Sequence, residues 1–258
     1  MSISVAAALE MVLSRRGGIE GSPPGGAADW QSWRGLRLAG DAPREVPSIP
    51  YQSDEGAFLG PGGRPSPGAT GEGLCHLVLL GLRDSGAAVI AADWLEEART
   101  PALAWLDPPD EVPGELDVTA AARVWATASA TCGLLAAGRD PGHRALSLLR
   151  GEADPAGRFT GGGYPTFAAA GAFWLAEGPK TEMAEWGLKW AREADEEWWD
   201  AWERATALTF WGAAGIPVEH ATADQFLDEL RDAAPEEGWP DDLGLTLRTL
   251  ELIEAFGG

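Results

Sequence analysis

The chain has 258 residues, 45% of them hydrophobic, which is enough for one large domain or two small ones with a buried core. Its formal net charge of −21 argues against nucleic acid and anionic membranes as partners, because both need a basic surface. Two cysteines are too few for a secreted disulfide scaffold or a four-thiolate zinc site.

The amino-terminal apolar run, residues 5–13, is interrupted by Glu10 and followed by Arg15 and Arg16. A signal peptide carries its positive charge before its apolar segment, so the order here is reversed. No stretch approaches the roughly 20 apolar residues of a membrane-spanning helix. We therefore expect a cytoplasmic protein without a membrane span. The abundance of Ala, Gly, Pro and Arg is typical of a high-GC bacterial gene.

Helical periodicity dominates the chain, and a repeating unit can be followed from one end to the other. Each unit has a Gly-rich turn, a helix of small and apolar residues and a glycine directly after that helix, here called the closing glycine. Glycine is preferred there because the residue after a helix often has a left-handed backbone conformation. The spacing of these glycines, roughly 37 to 52 residues, is typical of helix-pair arrays. The predicted closing glycines are Gly40, Gly86, Gly138, Gly178, Gly215 and Gly257.

Between these units the sequence predicts amphipathic helices that each expose one charged face. Helices inside the units, such as the one over residues 163–177, are apolar on all sides, as expected of helices buried on both sides. We therefore predict an all-α fold, an (α/α)6 toroid with inner and outer helical rings in a single domain over residues 1–258. The amphipathic helices lie near residues 3–15, 87–99, 141–151, 179–194 and 221–234.

One outer helix is missing from this pattern. Residues 41–67 contain six prolines, which exclude a regular helix. The sequence predicts a Pro/Gly-rich loop there, and loops of this length in compact domains often have a function.

The Gly-rich turn of the fourth unit has a recognisable sequence. The turn is Asp154-Pro-Ala-Gly-Arg-Phe159, and it leads into a helix of small residues. This arrangement resembles the repeats of the terpenoid cyclase and protein prenyltransferase superfamily, which includes the squalene-hopene cyclases. The resemblance implies an α/α toroid and an apolar, isoprenoid-type substrate.

Protein prenyltransferases of this superfamily hold zinc with an Asp that stands two residues before a Cys. Here Gly73 stands two residues before Cys75, and Ala130 stands two residues before Cys132. Both cysteines therefore lack the acid, and we predict no metal site and no cofactor.

Residues 115–120 resemble the signature Asp-x-Asp-Asp-Thr-Ala of the protonation-initiated (class II) terpene cyclases. In Glu115-Leu-Asp-Val-Thr-Ala120, Asp117 matches the family's proton donor and Glu115 stands for the first Asp. Val118 replaces the third Asp, which removes a group that orients the acid. The resemblance implies Asp117 as the catalytic acid beside Glu115. Protonating an alkene needs a carboxyl group kept protonated by burial and neighbouring carboxyls.

A structural role for Asp117 is the alternative. Asp is among the preferred residues at a helix N-terminus, where its side chain accepts backbone N–H groups. Asp200 and either Asp241 or Asp242 occupy the corresponding place in other units, which favours capping.

Class II cyclases shield their cations with aromatic faces, for which Trp is the most effective side chain. The chain has 13 Trp residues and 2 Tyr residues, which indicates either aromatic packing between repeats or an aromatic-lined cavity. The side chains that we predict to contact a substrate are Trp125, Thr119, Phe167, Trp174, Trp211 and Trp239.

Three functions follow from these observations. The leading hypothesis is a compact terpenoid-cyclase-like enzyme that protonates an isoprenoid. The second is a non-catalytic toroid that binds a hydrophobic ligand or a protein partner. The third is an acid/base carbohydrate enzyme, since helical toroids with Trp-lined clefts also serve sugars.

Overall fold

The computed structural model describes residues 3–15, 27–102, 104–113, 119–194 and 199–257. Over these ranges it contains eleven α-helices, a 3-10 turn at Pro109–Glu111 and, in place of strands, three isolated β-bridges. The helices are α1 (Val5–Ser14), α2 (Ala27–Leu38), α3 (Pro67–Leu79), α4 (Gly86–Glu97), α5 (Thr119–Ala136), α6 (His143–Glu152), α7 (Gly163–Glu177), α8 (Glu182–Glu193), α9 (Ala201–Ala213), α10 (Ala221–Ala233) and α11 (Leu243–Gly257). The prediction of an all-α fold is confirmed.

The helices form two concentric rings. Helices α2, α3, α5, α7, α9 and α11 form the inner ring, and α11 returns to contact α2. Helices α1, α4, α6, α8 and α10 lie outside it, each within three residues of its predicted bounds. The α/α toroid expected from the repeat is therefore the observed fold.

Neighbouring inner helices run parallel, as the pairs between α3 and α5 show. Gly68 lies against Trp125, and Gly71, one turn further along α3, lies against Ser129, one turn further along α5. Because inner helices run parallel, their N-termini share one end of the ring. At the other end Leu79 of α3 packs against Gly212 of α9, which narrows the centre.

A recurring hydrogen bond, donated by the backbone N–H of the aromatic residue, fixes the Gly-rich turns to the inner helices. In the fourth unit the backbone N–H of Phe159 donates to the Thr166 hydroxyl at 3.0 Å, and that hydroxyl donates to the Gly162 carbonyl at 2.7 Å. The turn is thereby fixed to the first turn of the inner helix. The same contact from a backbone N–H to a threonine hydroxyl joins Phe58 to Thr70, Trp105 to Thr127 and Trp239 to Thr246.

The glycine before the aromatic residue has its own steric reason. Gly157 has a φ of +93°, and a Cβ there would come within 2.4 Å of the Trp186 carbonyl oxygen on α8. Gly56 has the same relation to Ile90 on α4. Glycine is therefore required by both backbone conformation and contact with the outer helix.

One predicted helix end was wrong. Gly86 is the first residue of α4, and the left-handed glycine that follows α3 is Gly81, with a φ of +75°. The error arose because both glycines flank the same short connection. Only Gly81, which follows the C-terminus of α3, needs a positive φ.

The Pro-rich segment contains no helix, as predicted. It has two of the isolated bridges, Gln52 with Phe58 and Leu59 with Pro65. Ile49 and Phe58 are buried against the inner ring, so the loop belongs to the core.

We predict that Gly71→Ala lowers the free energy of unfolding by at least about 2 kcal/mol. The new methyl group would lie 2.3 Å from the carbonyl of Ser129, and backbone cannot yield as a flexible side chain can. Urea denaturation measures the loss. The matched control is Gly151→Ala on α6, where nothing lies within 4 Å, and its helix propensity should raise stability slightly. Wild-type stability of Gly71→Ala would contradict the close approach of α3 and α5.

Candidate functional site

A buried ion cluster of Arg34, Glu251 and His76 lies inside the inner ring. Arg34 Nε donates to Glu251 Oε1 at 2.6 Å, and Nη2 donates to Oε2 at 2.7 Å. His76 Nε2 is 2.9 Å from the same Oε2. The cluster therefore joins α2, α11 and α3, with every member less than 5% exposed.

The charges of the cluster fix its protonation state. Burial raises the pKa of Glu251, but the charges and hydrogen bonds of Arg34 and His76 together outweigh burial and hold that pKa well below its usual range. Burial and the charge of Arg248 lower the pKa of His76 to about 3, so its ring is neutral at pH 7. Because a carboxylate only accepts, Nε2 must carry the imidazole proton.

A second polar group lies beside the cluster, nearer the N-terminal end of the ring. Arg248 Nη1 donates to Thr209 Oγ1 at 2.7 Å and is 3.7 Å from Glu72 Oε1. Burial raises the pKa of Glu72, although Arg248 opposes this. The Glu72 side chain is half-buried, with 26% of its surface accessible.

An aromatic cluster lies within electrostatic range of Glu72. Burial and nearby carboxylates, Glu72 among them, raise the pKa of Tyr164. The Trp125 ring packs edge-on against Tyr164 at 5.8 Å and against Phe210 at 6.0 Å between centroids. The toroid thus holds a carboxyl group with a raised pKa and, within electrostatic range of it, an aromatic cluster.

A cavity opens at the N-terminal end of the ring, between α2, α9, α11 and the Pro-rich loop. It has a volume of about 190 Å³. For comparison, a cavity of about 150 Å³ takes benzene, and most ligand pockets begin near 300 Å³. We name it the mouth cavity. Its lining residues are Trp30, Gln31, Arg34, Pro50, Tyr51, Trp202, Gly244 and Arg248.

The two predicted acids, Glu115 and Asp117, lie outside the described residues, so their roles stay predictions. The acids proposed as caps in other units do cap helices. Asp200 forms a capping box with Glu203 at the start of α9, and Asp242 accepts the Leu245 N–H at the start of α11.

The predicted substrate contacts fall into two groups. Trp125, Phe167 and Trp211 share one aromatic core and are at most 2% exposed. Thr119 is exposed at the start of α5, Trp174 packs against His220, and Trp239 is half-buried beside α11. The structure thus brings three of the six together, and contact with a substrate stays a prediction for all of them.

Sequence analysis missed the polar residues of the site. Arg34, Glu72, Arg248 and Glu251 each look like an ordinary charged residue of a helix. The available signal was a charge within a helix otherwise expected to be buried on both sides.

Asp107 is a buried acid at the edge of this region. Its Oδ1 accepts the Ser66 hydroxyl at 2.8 Å and the Gly68 N–H at 3.1 Å. Burial raises its pKa to about 6, although those bonds and the Trp125 indole lower it. It links the segment before α5 to the first turn of α3.

Two further properties concern only the described residues. They contain no cluster of three or more His, Cys, Asp or Glu side chains arranged to hold a metal ion. Among them, too, no helix has the length and apolar character needed to cross a membrane.

The fold is an α/α toroid, the architecture that terpene cyclases also have. No protein-family model matches the chain, and no curated protein matches it significantly in sequence. Among solved structures it is similar to the type II terpene cyclase MstE from Scytonema, with a TM-score of 0.54, 14% identity and 97% of each chain covered. It also matches ent-copalyl diphosphate synthase from Streptomyces platensis, with a TM-score of 0.37, 18% identity, 97% of this chain and 45% of that one. At this identity the likeness to MstE is one of fold.

We predict that Asp107 makes stability fall with rising pH. Its folded-state pKa of about 6 lies above the unfolded value of about 3.9, so its contribution is full below pH 4 and is lost as pH rises through 6. Relative to Asp107→Asn, the wild type should lose on the order of 2 kcal/mol of unfolding free energy between pH 4 and 7.

Urea denaturation at both pH values measures this difference. Asn keeps the oxygen that accepts from Ser66 and Gly68, so the hydrogen bonds are preserved. The exposed neighbour Asp110→Asn is the control and should show the wild-type dependence on pH. Parallel curves for the wild type and Asp107→Asn would contradict the prediction.

Proposed function

We propose that the protein is a terpenoid-cyclase-like enzyme that starts cyclisation or isomerisation of an isoprenoid by protonating an alkene. One observation carries the proposal: Glu72, a half-buried carboxyl group whose pKa is raised by burial, lies inside a toroid, 3.7 Å from Arg248 and within electrostatic range of Tyr164. The fold that it shares with a type II terpene cyclase supports the same chemistry.

The reaction needs an acid, a cation shield and a final base. The acid donates its proton to one alkene carbon, and the positive charge forms on the other. Tyr164, which is half-buried, offers a ring face, worth roughly 1–2 kcal/mol to a desolvated cation. Loss of a proton to a carboxylate or to water ends the reaction.

Two carboxyl groups are proposed for the proton transfer. Asp117, with Glu115, is the donor implied by the sequence signature. Glu72 is the donor supported by position and pKa, and Arg248 at 3.7 Å can stabilise its carboxylate once the proton has left. A single donor accounts for the reaction, and mutation of each separately identifies it.

The small mouth cavity favours the second hypothesis, a toroid that binds a ligand without chemistry. At about 190 Å³ it is too small to enclose a long polyprenyl chain. If isoprenoids are converted, compact ones should therefore be better substrates than squalene.

We predict that the protein converts a short polyprenyl compound to a cyclic or isomerised product. Geranyl, farnesyl, geranylgeranyl and squalene-type compounds should be screened by gas chromatography and mass spectrometry. In D2O the product should carry one deuterium at the protonated carbon. The substitution at the true donor, Asp117→Asn or Glu72→Gln, should lower kcat by roughly 100-fold to 10,000-fold.

Asp200→Asn is the control, because Asn also caps a helix and Asp200 lies at the exposed start of α9. Its rate should stay within a factor of two. Failure to convert any of these compounds, or product without deuterium, would contradict protonation-initiated catalysis and favour the binding module.

A further inference from the structure

The mouth cavity combines two guanidinium groups with aromatic walls. Arg34 and Arg248 line it together with the rings of Trp30, Tyr51 and Trp202. A cavity for a bare hydrocarbon has no need of arginine, because a buried unpaired charge is costly. Two arginines in a chain of net charge −21 therefore indicate an anionic ligand.

Neither arginine has its donors fully used by the described residues. The pair with Glu251 uses Nε and Nη2 of Arg34, which leaves Nη1 outside the pair. Arg248 Nη1 donates to a neutral hydroxyl, and its buried Nε has no partner among the described residues. Arginine presents five donors in a planar fork that suits carboxylate and phosphate oxygens.

The local charges also favour an added anion. Glu251 balances Arg34, and the nearest carboxylate to Arg248 is 3.7 Å away, longer than a hydrogen bond. Burial lowers the pKa of Arg248, and repulsion between the two guanidinium groups lowers it further, although the charge of Glu72 opposes both. An anion between them would relieve that repulsion.

The walls set the shape of the ligand. Trp30 is fixed by its indole N–H, which donates to the Tyr51 hydroxyl at 2.6 Å. Trp202 is fixed by donation to Asp242 at 2.8 Å and lies against Gly244, where a side chain would close the space. Rigid rings around a volume slightly above that needed for benzene suit a small flat group.

We propose that the mouth cavity binds a compact organic anion, a carboxylate or phosphate group on a small flat apolar body. The oxygens contact Arg248 and Nη1 of Arg34, and the apolar body packs against Trp30 and Trp202. This binding does not depend on the proposed chemistry, because it is measured without turnover.

Isothermal titration calorimetry of the full chain with benzoate, phenyl phosphate and inorganic phosphate tests the proposal, with benzamide as the neutral match. Benzoate or phenyl phosphate should bind with a Kd of about 1 mM or tighter. The tighter of the two identifies the anionic group. Benzamide and inorganic phosphate should bind at least about 10-fold more weakly, since each lacks one half of the ligand.

Two substitutions of opposite effect locate the site. Arg248→Met should weaken benzoate binding at least about 10-fold, because it removes the fork. Glu72→Gln at pH 8 should strengthen binding several-fold, because it removes the carboxylate that competes for Arg248. Arg37→Gln is the control: it lies one turn along α2, pairs with Glu254 outside the cavity and should change Kd less than two-fold.

The possible results distinguish binding at the mouth cavity from a loss of fold and from the proposed catalysis. If Arg248→Met fails to fold by circular dichroism, the increase in Glu72→Gln still tests the site. Equal binding of benzamide and benzoate, an unchanged or weaker affinity in Glu72→Gln, or equal losses in Arg248→Met and Arg37→Gln would overturn the proposal. Binding without any isoprenoid turnover would leave this inference standing and count only against the cyclase.

Discussion

The pairing of Arg34 with Glu251 joins the first and last inner helices of the ring. These residues are 217 positions apart, and their contact holds α2 against α11, while α3 also contacts α9. A buried ion pair is stable only when geometry and further hydrogen bonds repay its desolvation, and the bidentate contact with the added donor His76 meets that requirement. Loss of either charge would leave the other uncompensated in the core.

The position of the mouth cavity follows from this closure. Arg34 lies between the pair with Glu251 and the cavity, so the residue that joins the ends of the ring also forms part of the site. Toward the C-terminal end, Leu79 and Phe256 pack closely against Gly212. Glu72 and Arg248 lie in the N-terminal half, on the side of the mouth cavity.

The periodic features of the fold could be predicted from sequence because they are local. Amphipathic stripes, apolar inner helices and the proline run each arise from neighbouring residues. The prediction of Gly86 instead of Gly81 as the glycine after α3 was wrong, because the sequence does not reveal which glycine has a positive φ. The role of Thr166 and its equivalents was also missed, since a threonine in an apolar helix gives no hint that it holds the preceding turn.

The site was harder to predict because its parts come together only in the folded ring. Nothing near Arg34 in sequence indicates Glu251 as its partner. The aromatic residues chosen as cavity walls include Phe167 and Trp211, which are 0% exposed, because large rings are also needed to fill the spaces between inner helices. Sequence identified the aromatic content, and tertiary packing decides which rings face open space.

The protonation state of His76 tests this account most directly. It can be followed by NMR of 15N-labelled histidine, with the His76 signal assigned by its loss in His76→Gln. If Arg34 and Glu251 form the buried cluster described here, the His76 ring stays neutral with its proton on Nε2 down to about pH 4, because its pKa lies near 3. A ring that titrates near pH 6.5, the ordinary value for histidine, would show that the cluster is open to water and that the ring is not closed in this way.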